Sequence, residues 1–239
     1  MGGDPDQKTA QAILNALPVA GGDIIELGIP FSDPMADGPV IQSAGLRALK
    51  AGATLKSVLA MAAAFRSIHG DTPLVLMGYL NPVYIYGYEK FAADAAKAGV
   101  DGIILVDLPP EESAEIEPLL TKNNISLVRL IAPTSVPRRL ELLSSGASGY
   151  LYYVSVTGIT GAASASTDDV QSALKKITAA SDLPVCVGFG IKTAADVKSF
   201  NAADGVVVGS ALVKKIEESK GDLTAINDFV KSLAAGCKR

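Results

Sequence analysis

Two cysteines, one histidine and no long apolar run leave this 239-residue chain few means of being crosslinked, holding a transition metal or entering a membrane. Cys186 sits in the apolar stretch "PVCVGF" and Cys237 lies in the tail, so no disulfide framework stabilises the fold. That usage fits a reducing, cytoplasmic setting, and Cys186 reads as a small buried residue. The single histidine, His69, follows the helical pattern "SVLAMAAAFRSIHG", a helix end where a cation is welcome. The longest apolar runs, such as Ile103 to Val106, fall far short of the roughly 20 residues that span a bilayer. No charged-then-apolar leader opens the chain, so no membrane partner is expected. Basic surplus is also missing: the net charge is -4 and the pI about 5.1. The only dense cationic spots are Arg138-Arg139, Lys175-Lys176 and Lys214-Lys215, which excludes a surface built for nucleic acid.

What is present is apolar and rhythmic. With 49% hydrophobic residues the chain can bury a large core, and residues 1–239 read as a single domain. Seven short β-branched runs recur: "DIIELG" (23–28), "LVLMGY" (74–79), "GIILVD" (102–107), "SLVRLI" (126–131), "GYLYYV" (149–154), "PVCVGF" (184–189) and "GVVVGS" (205–210). Helical patterns separate them. "EESAEIEPLLTKNN" opens with acids at the positive end of a helix dipole, and "STDDVQSALKKITAAS" places Val170, Leu174 and Ile177 on one face. Strand and helix in alternation mean a parallel sheet covered on both faces, which is why its strands are apolar throughout. Polar residues follow nearly every strand rather than one switch point, so a single α/β unit of the (β/α)8 TIM-barrel type is expected over a doubly wound sheet.

The rhythm is short by one beat. The chain opens on a loop and passes directly into a helix, with Asp4 as the expected N-cap, Pro5 at the first helical position and Gln7 completing a capping box. The strand that would come first, with its preceding helix, is missing from this sequence.

The residue inventory limits the chemistry. No histidine lies near a strand run and no lysine lies within one, which argues against zinc sites, histidine triads and Schiff-base aldolases. Carboxylates and tyrosines remain as general acids and bases. Glu26, inside Ile24-Ile25-Glu26-Leu27, is the best candidate: an inward carboxyl there is desolvated and its pKa rises. The competing use of Glu26 is a structural ion pair, with Arg129 as partner. Asp37 and Asp33 lie on the loop "GIPFSDPMADGP", stiffened by Pro30, Pro34 and Pro39, where either also serves as a turn residue. Asp107 ends another strand and stays open between turn, interface and site. Three late glycine-bearing loops, "VTGITGAA" (156–163), "VGFGIKT" (187–193) and "VVVGSALVKKI" (206–216), can converge N–H groups on a phosphate. Met77, Tyr79, Tyr152, Tyr153 and Phe189 supply walls for a flat apolar group.

Taken together, "ELGIPFSDPMADGP", "LVLMGYLNP", "GVDGIILVDLPPEES", "YYVSVTGITGA", "VGFGIKT" and "VVVGSALV" resemble the tryptophan synthase alpha-chain family, in the family's order and over nearly the whole chain. The resemblance implies a lyase of tryptophan biosynthesis that cleaves indole-3-glycerol phosphate to indole and glyceraldehyde 3-phosphate without cofactor or metal. It implies that Glu26 is the acid and base and that Asp37 accepts the indole N–H. By the same resemblance Tyr152 supports the substrate near Glu26, Tyr79 and Phe189 line the pocket, and Thr160 orients Asp37. Gly161, Gly188, Gly190, Gly209 and Ser210 would form the phosphate grip. It further implies docking on a beta chain that carries pyridoxal phosphate, in an α2β2 complex, with Pro30, Asp33 and Pro34 facing that partner.

Family members carry a short helix and a first strand ahead of the "GDPD" loop; their lack here reads as an internal start or a truncation. Unpaired strand edges would follow, with lower stability and activity. Three rival readings share part of the pattern. They are a sugar-phosphate isomerase on the same barrel, an impaired subunit that mainly binds and activates the beta chain, and a stand-alone indole-releasing lyase.

Overall fold

The computed structural model describes residues 1–135, 137–154, 167–188 and 190–237. Seven parallel strands form one sheet in the order of the chain: β1 (Ile25–Gly28), β2 (Leu74–Gly78), β3 (Gly102–Leu105), β4 (Ser126–Ile131), β5 (Leu151–Val154), β6 (Val185–Gly188) and β7 (Gly205–Val207). Each lies within one of the seven apolar runs. Eleven α-helices stand among the described residues: α1 (Gln7–Ala20), α2 (Pro39–Lys50), α3 (Leu55–Arg66), α4 (Leu80–Tyr86), α5 (Tyr88–Lys97), α6 (Glu117–Lys122), α7 (Pro137–Ser145), α8 (Thr167–Ala180), α9 (Ala194–Ser199), α10 (Ser210–Glu218) and α11 (Leu223–Ala234). Every connection moves one strand along in the same direction, the winding of a βα barrel. β1 and β7 are the outer strands, and among the described residues no ladder joins them. The opening residues reach β1 instead, where the Gly2 N–H donates to the Gly28 carbonyl at 2.9 Å.

Strand parity divides the side chains into two populations. Ile25, Leu27, Leu74, Leu76, Ile103 and Leu105 pack outward against the helices, as do Leu151, Tyr153, Val185 and Val187 farther along the sheet. On α8, Val170, Leu174 and Ile177 form the buried stripe that their spacing predicts. The inner face is a smaller cluster of Val75, Ile104, Val128 and Tyr150, with Met77, Val106, Leu130, Tyr152 and Cys186 packed on it.

Two local expectations are corrected. The cap of α1 is Asp6, whose Oδ1 accepts from the Thr9 N–H at 2.9 Å. Asp4 is 3% exposed and is drawn inward by Arg47, which donates Nε–H to Oδ1 at 2.7 Å and an Nη2–H to Oδ2 at 3.0 Å. A bidentate partner on α2 outweighs a cap that Asp6 can supply as well. The helix read across "EESAEIEPLLTKNN" is broken into a short 3-10 turn (Pro110–Glu112) and α6. Pro118 fits only the first turn of a helix, so α6 starts at Glu117. Among the described residues no single helix is long and apolar enough to cross a membrane.

Candidate active site

The chemistry gathers at the C-terminal end of the sheet and on its inner face. Glu26 pairs with Val75 in the β1–β2 register and shares its parity, so its half-buried carboxylate points inward. Tyr150, immediately before β5, donates its hydroxyl to Glu26 Oε1 at 2.6 Å. Burial raises the Glu26 pKa, and this hydrogen bond draws it partly back. Arg129 is not its partner. That side chain stands on the outer face, 3% exposed, where it donates to Glu117 Oε2 at 3.1 Å and to the Leu108 carbonyl at 3.2 Å. Among the described residues Glu26 is therefore left without an ion pair that would hold it ionised.

Tyr152 lies two residues on from Tyr150, on the same inner face, and burial beside Glu26 pushes its hydroxyl pKa up. Gly188 is its steric complement: a Cβ there would come within 2.6 Å of the Tyr152 ring and hydroxyl. Cys186 pairs with Tyr152 in the β5–β6 register, and burial with the Glu26 charge nearby pushes its thiol up to about 12. It is an inert packing group at neutral pH.

Asp37 follows a turn closed by its own N–H on the Pro34 carbonyl at 3.0 Å, and Gln42 Nε2–H donates to the Asp37 carbonyl at 2.8 Å. Burial raises the pKa of its half-buried carboxylate, and a hydrogen bond from Tyr79 opposes the rise. Tyr79 is itself 2% exposed, at the N-cap of α4, with its ring centroid 5.4 Å from that of Phe31. Asp107 serves the same corner, with Oδ1 accepting from the Leu80 N–H at 2.7 Å.

The glycine turns sit beyond the last strands. Gly190 has φ +57°, a left-handed conformation that glycine adopts without cost, and a Cβ added at Gly190 or Gly209 would meet none of the described residues within 4 Å. Gly209 caps α10, which starts at Ser210, and the first amides of that helix have no intrahelical acceptor. Thr160, Gly161 and Phe189 lie outside the described residues. On the β1 loop Pro30 is buried, Pro34 is half-buried and Asp33 is exposed, accepting from Ser32 Oγ–H at 2.5 Å. Sequence reasoning passed over Tyr150, although its two-residue spacing from Tyr152 was the signal that both share a face.

Parallel strands wound in chain order, inward carboxylate and tyrosines, and open glycine turns at the strand ends together define a βα-barrel enzyme working on a small molecule. The family model for the tryptophan synthase alpha chain matches residues 1–238, and the chain belongs to that family, among the lyases of tryptophan biosynthesis. A solved structure of tryptophan synthase subunit alpha from Legionella pneumophila is 40% identical, with a TM-score of 0.90 over 98% of this chain and 89% of that one. Tryptophan synthase from M. tuberculosis in an aminoacrylate-bound form is 35% identical, with a TM-score of 0.89 over 99% and 90%. A protein from Aquifex aeolicus VF5 matches at 38% identity and a TM-score of 0.92, over 100% and 91%.

Proposed function

We propose that this chain cleaves indole-3-glycerol phosphate by a reverse-aldol step, as the alpha subunit of a cytoplasmic complex with a beta chain. The observation that carries the reading is Glu26: an inward carboxyl with its pKa raised by burial, held by a tyrosine and free of Arg129. A carboxyl whose pKa is raised toward the working pH can serve in turn as acid and as base. Protonated Glu26 gives its proton to the ring carbon that bears the side chain. The resulting carboxylate then takes the proton of the adjacent glycerol hydroxyl. The carbon–carbon bond breaks, its electron pair restores the indole, and the hydroxyl carbon becomes the aldehyde of glyceraldehyde 3-phosphate. The Glu26 proton count is unchanged over the cycle.

In this reading Asp37 accepts the indole N–H while the protonated ring carries positive charge, and Tyr152 lies beside the reacting carbon. The turns at Gly188, Gly190, Gly209 and Ser210, with Gly161, take the phosphate, and Thr160 orients Asp37. The chain itself needs no cofactor; pyridoxal phosphate belongs to the beta chain. Support for that partner comes from Met35 (70% exposed), Tyr84 (65%) and Ile85 (75%), large apolar groups on the segments that follow the neighbouring strands β1 and β2. Pro30, Asp33 and Pro34 share the first of those segments. The same surface favours a second reading, a subunit that chiefly binds and activates the beta chain. Indole release from indole-3-glycerol phosphate, with and without a beta chain and beside Glu26→Gln, separates the two. Indole that disappears in the variant supports the lyase, whereas stimulation of the beta chain with no indole supports the second reading.

A further inference from the structure

Tyr79 has more to do than line a pocket. Its ring is buried against Phe31, and its single hydroxyl is engaged by the loop that carries Asp37. The oxygen accepts the Ala36 N–H at 3.0 Å, and the Asp37 carboxylate lies close enough for the hydroxyl to oppose the rise of its pKa. Both contacts fall on consecutive residues of the loop that carries Asp37. The base of Tyr79 is fixed from another direction, since the next amide, Leu80, is held by Asp107 at the end of β3. A residue fixed at the end of β2 thus grips the loop that carries Asp37.

We propose that Tyr79 is a positioning residue that latches the Asp37 loop and aims its carboxylate, rather than a wall against the substrate. The turnover part of this inference rests on the lyase reading given above. The titratable groups facing Tyr79 are Asp37 and Asp107, both acidic, and with burial they push the phenol up to about 12. The hydroxyl therefore stays protonated and remains a donor across the working range of pH. Its hydrogen bond favours ionised Asp37, the form that accepts an N–H, against the burial that disfavours it. A wall residue would leave its hydroxyl to the ligand; here the hydroxyl is taken up by the Asp37 loop.

Tyr79→Phe removes one oxygen and leaves the ring on Phe31. Three quantities are compared with the wild type: exchange of the Ala36 amide and titration of the Asp37 carboxyl, both by NMR on the whole chain, and steady-state indole release with a beta chain present. The latch predicts Ala36 exchange faster by about tenfold or more and an Asp37 midpoint displaced to higher pH. It also predicts a kcat lower by about 10- to 100-fold, the worth of one hydrogen bond to a charged group. KM changes less, and the acid limb of the rate profile moves up with Asp37. Unchanged Ala36 exchange, or an Asp37 midpoint that does not rise, overturns the latch. So does a loss confined to KM with a stationary acid limb, the mark of direct substrate contact. A wild-type chain that releases no indole even with the beta chain sinks the lyase reading instead, and the two NMR measurements then decide the latch by themselves.

Discussion

Replacing Glu26 by glutamine should stabilise the fold at neutral pH while removing the candidate acid–base group. Burial raises the Glu26 pKa above its ordinary 4.5, so the folded state binds this proton more tightly than the unfolded chain does. Between the unfolded and the folded pKa the native state therefore holds more protons, and stability falls as pH rises through that window. Above the folded pKa the penalty is complete; below about 4.5 it is absent. Glutamine keeps an oxygen to accept the Tyr150 hydroxyl, now 2.6 Å from Oε1, and has no charge to desolvate. Uncompensated burial of a polar group costs about 1–3 kcal/mol in protein mutants. Glu26 is half-buried and keeps one hydrogen bond, so the gain belongs at the low end, about 1–2 kcal/mol.

For a chain of this size each kcal/mol moves the melting temperature by about 2–4 °C, so Glu26→Gln should melt roughly 2–8 °C higher at pH 7. Thermal melts followed by circular dichroism at pH 4 and pH 7 give the difference between variant and wild type at each. The expected pattern is a gain at pH 7 that shrinks toward pH 4. Tyr150→Phe should act in the opposite sense, lowering stability at pH 7 by withdrawing a donor from the carboxylate. Equal melting of Glu26→Gln and wild type at pH 7, or a gain of the same size at both pH values, would refute the argument that Glu26 is a desolvated, unpaired carboxyl.

Two further outcomes follow from packing. Gly188→Ala places a Cβ within 2.6 Å of the Tyr152 ring and hydroxyl, and overpacking of this kind costs about 1–3 kcal/mol; denaturant unfolding midpoints check it, and a midpoint equal to wild type would mean the ring moves aside freely. Arg129 is 3% exposed with its Nε unpartnered, so Arg129→Met should melt at or above the wild type while Arg129→Ala loses about 2–4 kcal/mol to the cavity. A methionine variant that melts as low as the alanine variant would show that the ion pair to Glu117, not the volume, is what matters.

The strands were legible because helices cover both sheet faces and permit unbroken apolar runs, and α8 because its apolar period is 3.6. What a single sequence cannot supply is partnership at long range. Asp4 carries every local mark of a helix cap, yet Arg47 lies 43 positions away and takes it. Tyr150 sits 124 positions from Glu26, so the contact that tunes the candidate base leaves no local trace. Tyr79 was readable as an aromatic beside the site, but its hydroxyl's engagement with Ala36 and Asp37 depends on how the β1 loop folds back over β2. The signature around Asp37 singled out this loop and was silent on what holds it.

Glu26 and Arg129 show why parity matters more here than residue type. Both stand on strands, and on one face of the sheet an arginine within several ångströms would hold the carboxylate ionised and lower its pKa. A glutamate so paired is a poor acid at neutral pH, and a proton cycle that begins with donation to carbon would stall. Arg129 is separated from that role by the direction of one side chain: it faces the helices, where Glu117 and the Leu108 carbonyl engage it. Among the described residues the inner-face cluster holds tyrosines, a protonated thiol and aliphatic groups, none cationic at neutral pH. Desolvation then governs Glu26, moderated by one phenolic hydrogen bond, and an outer face can bear a buried ion pair without altering the inner one.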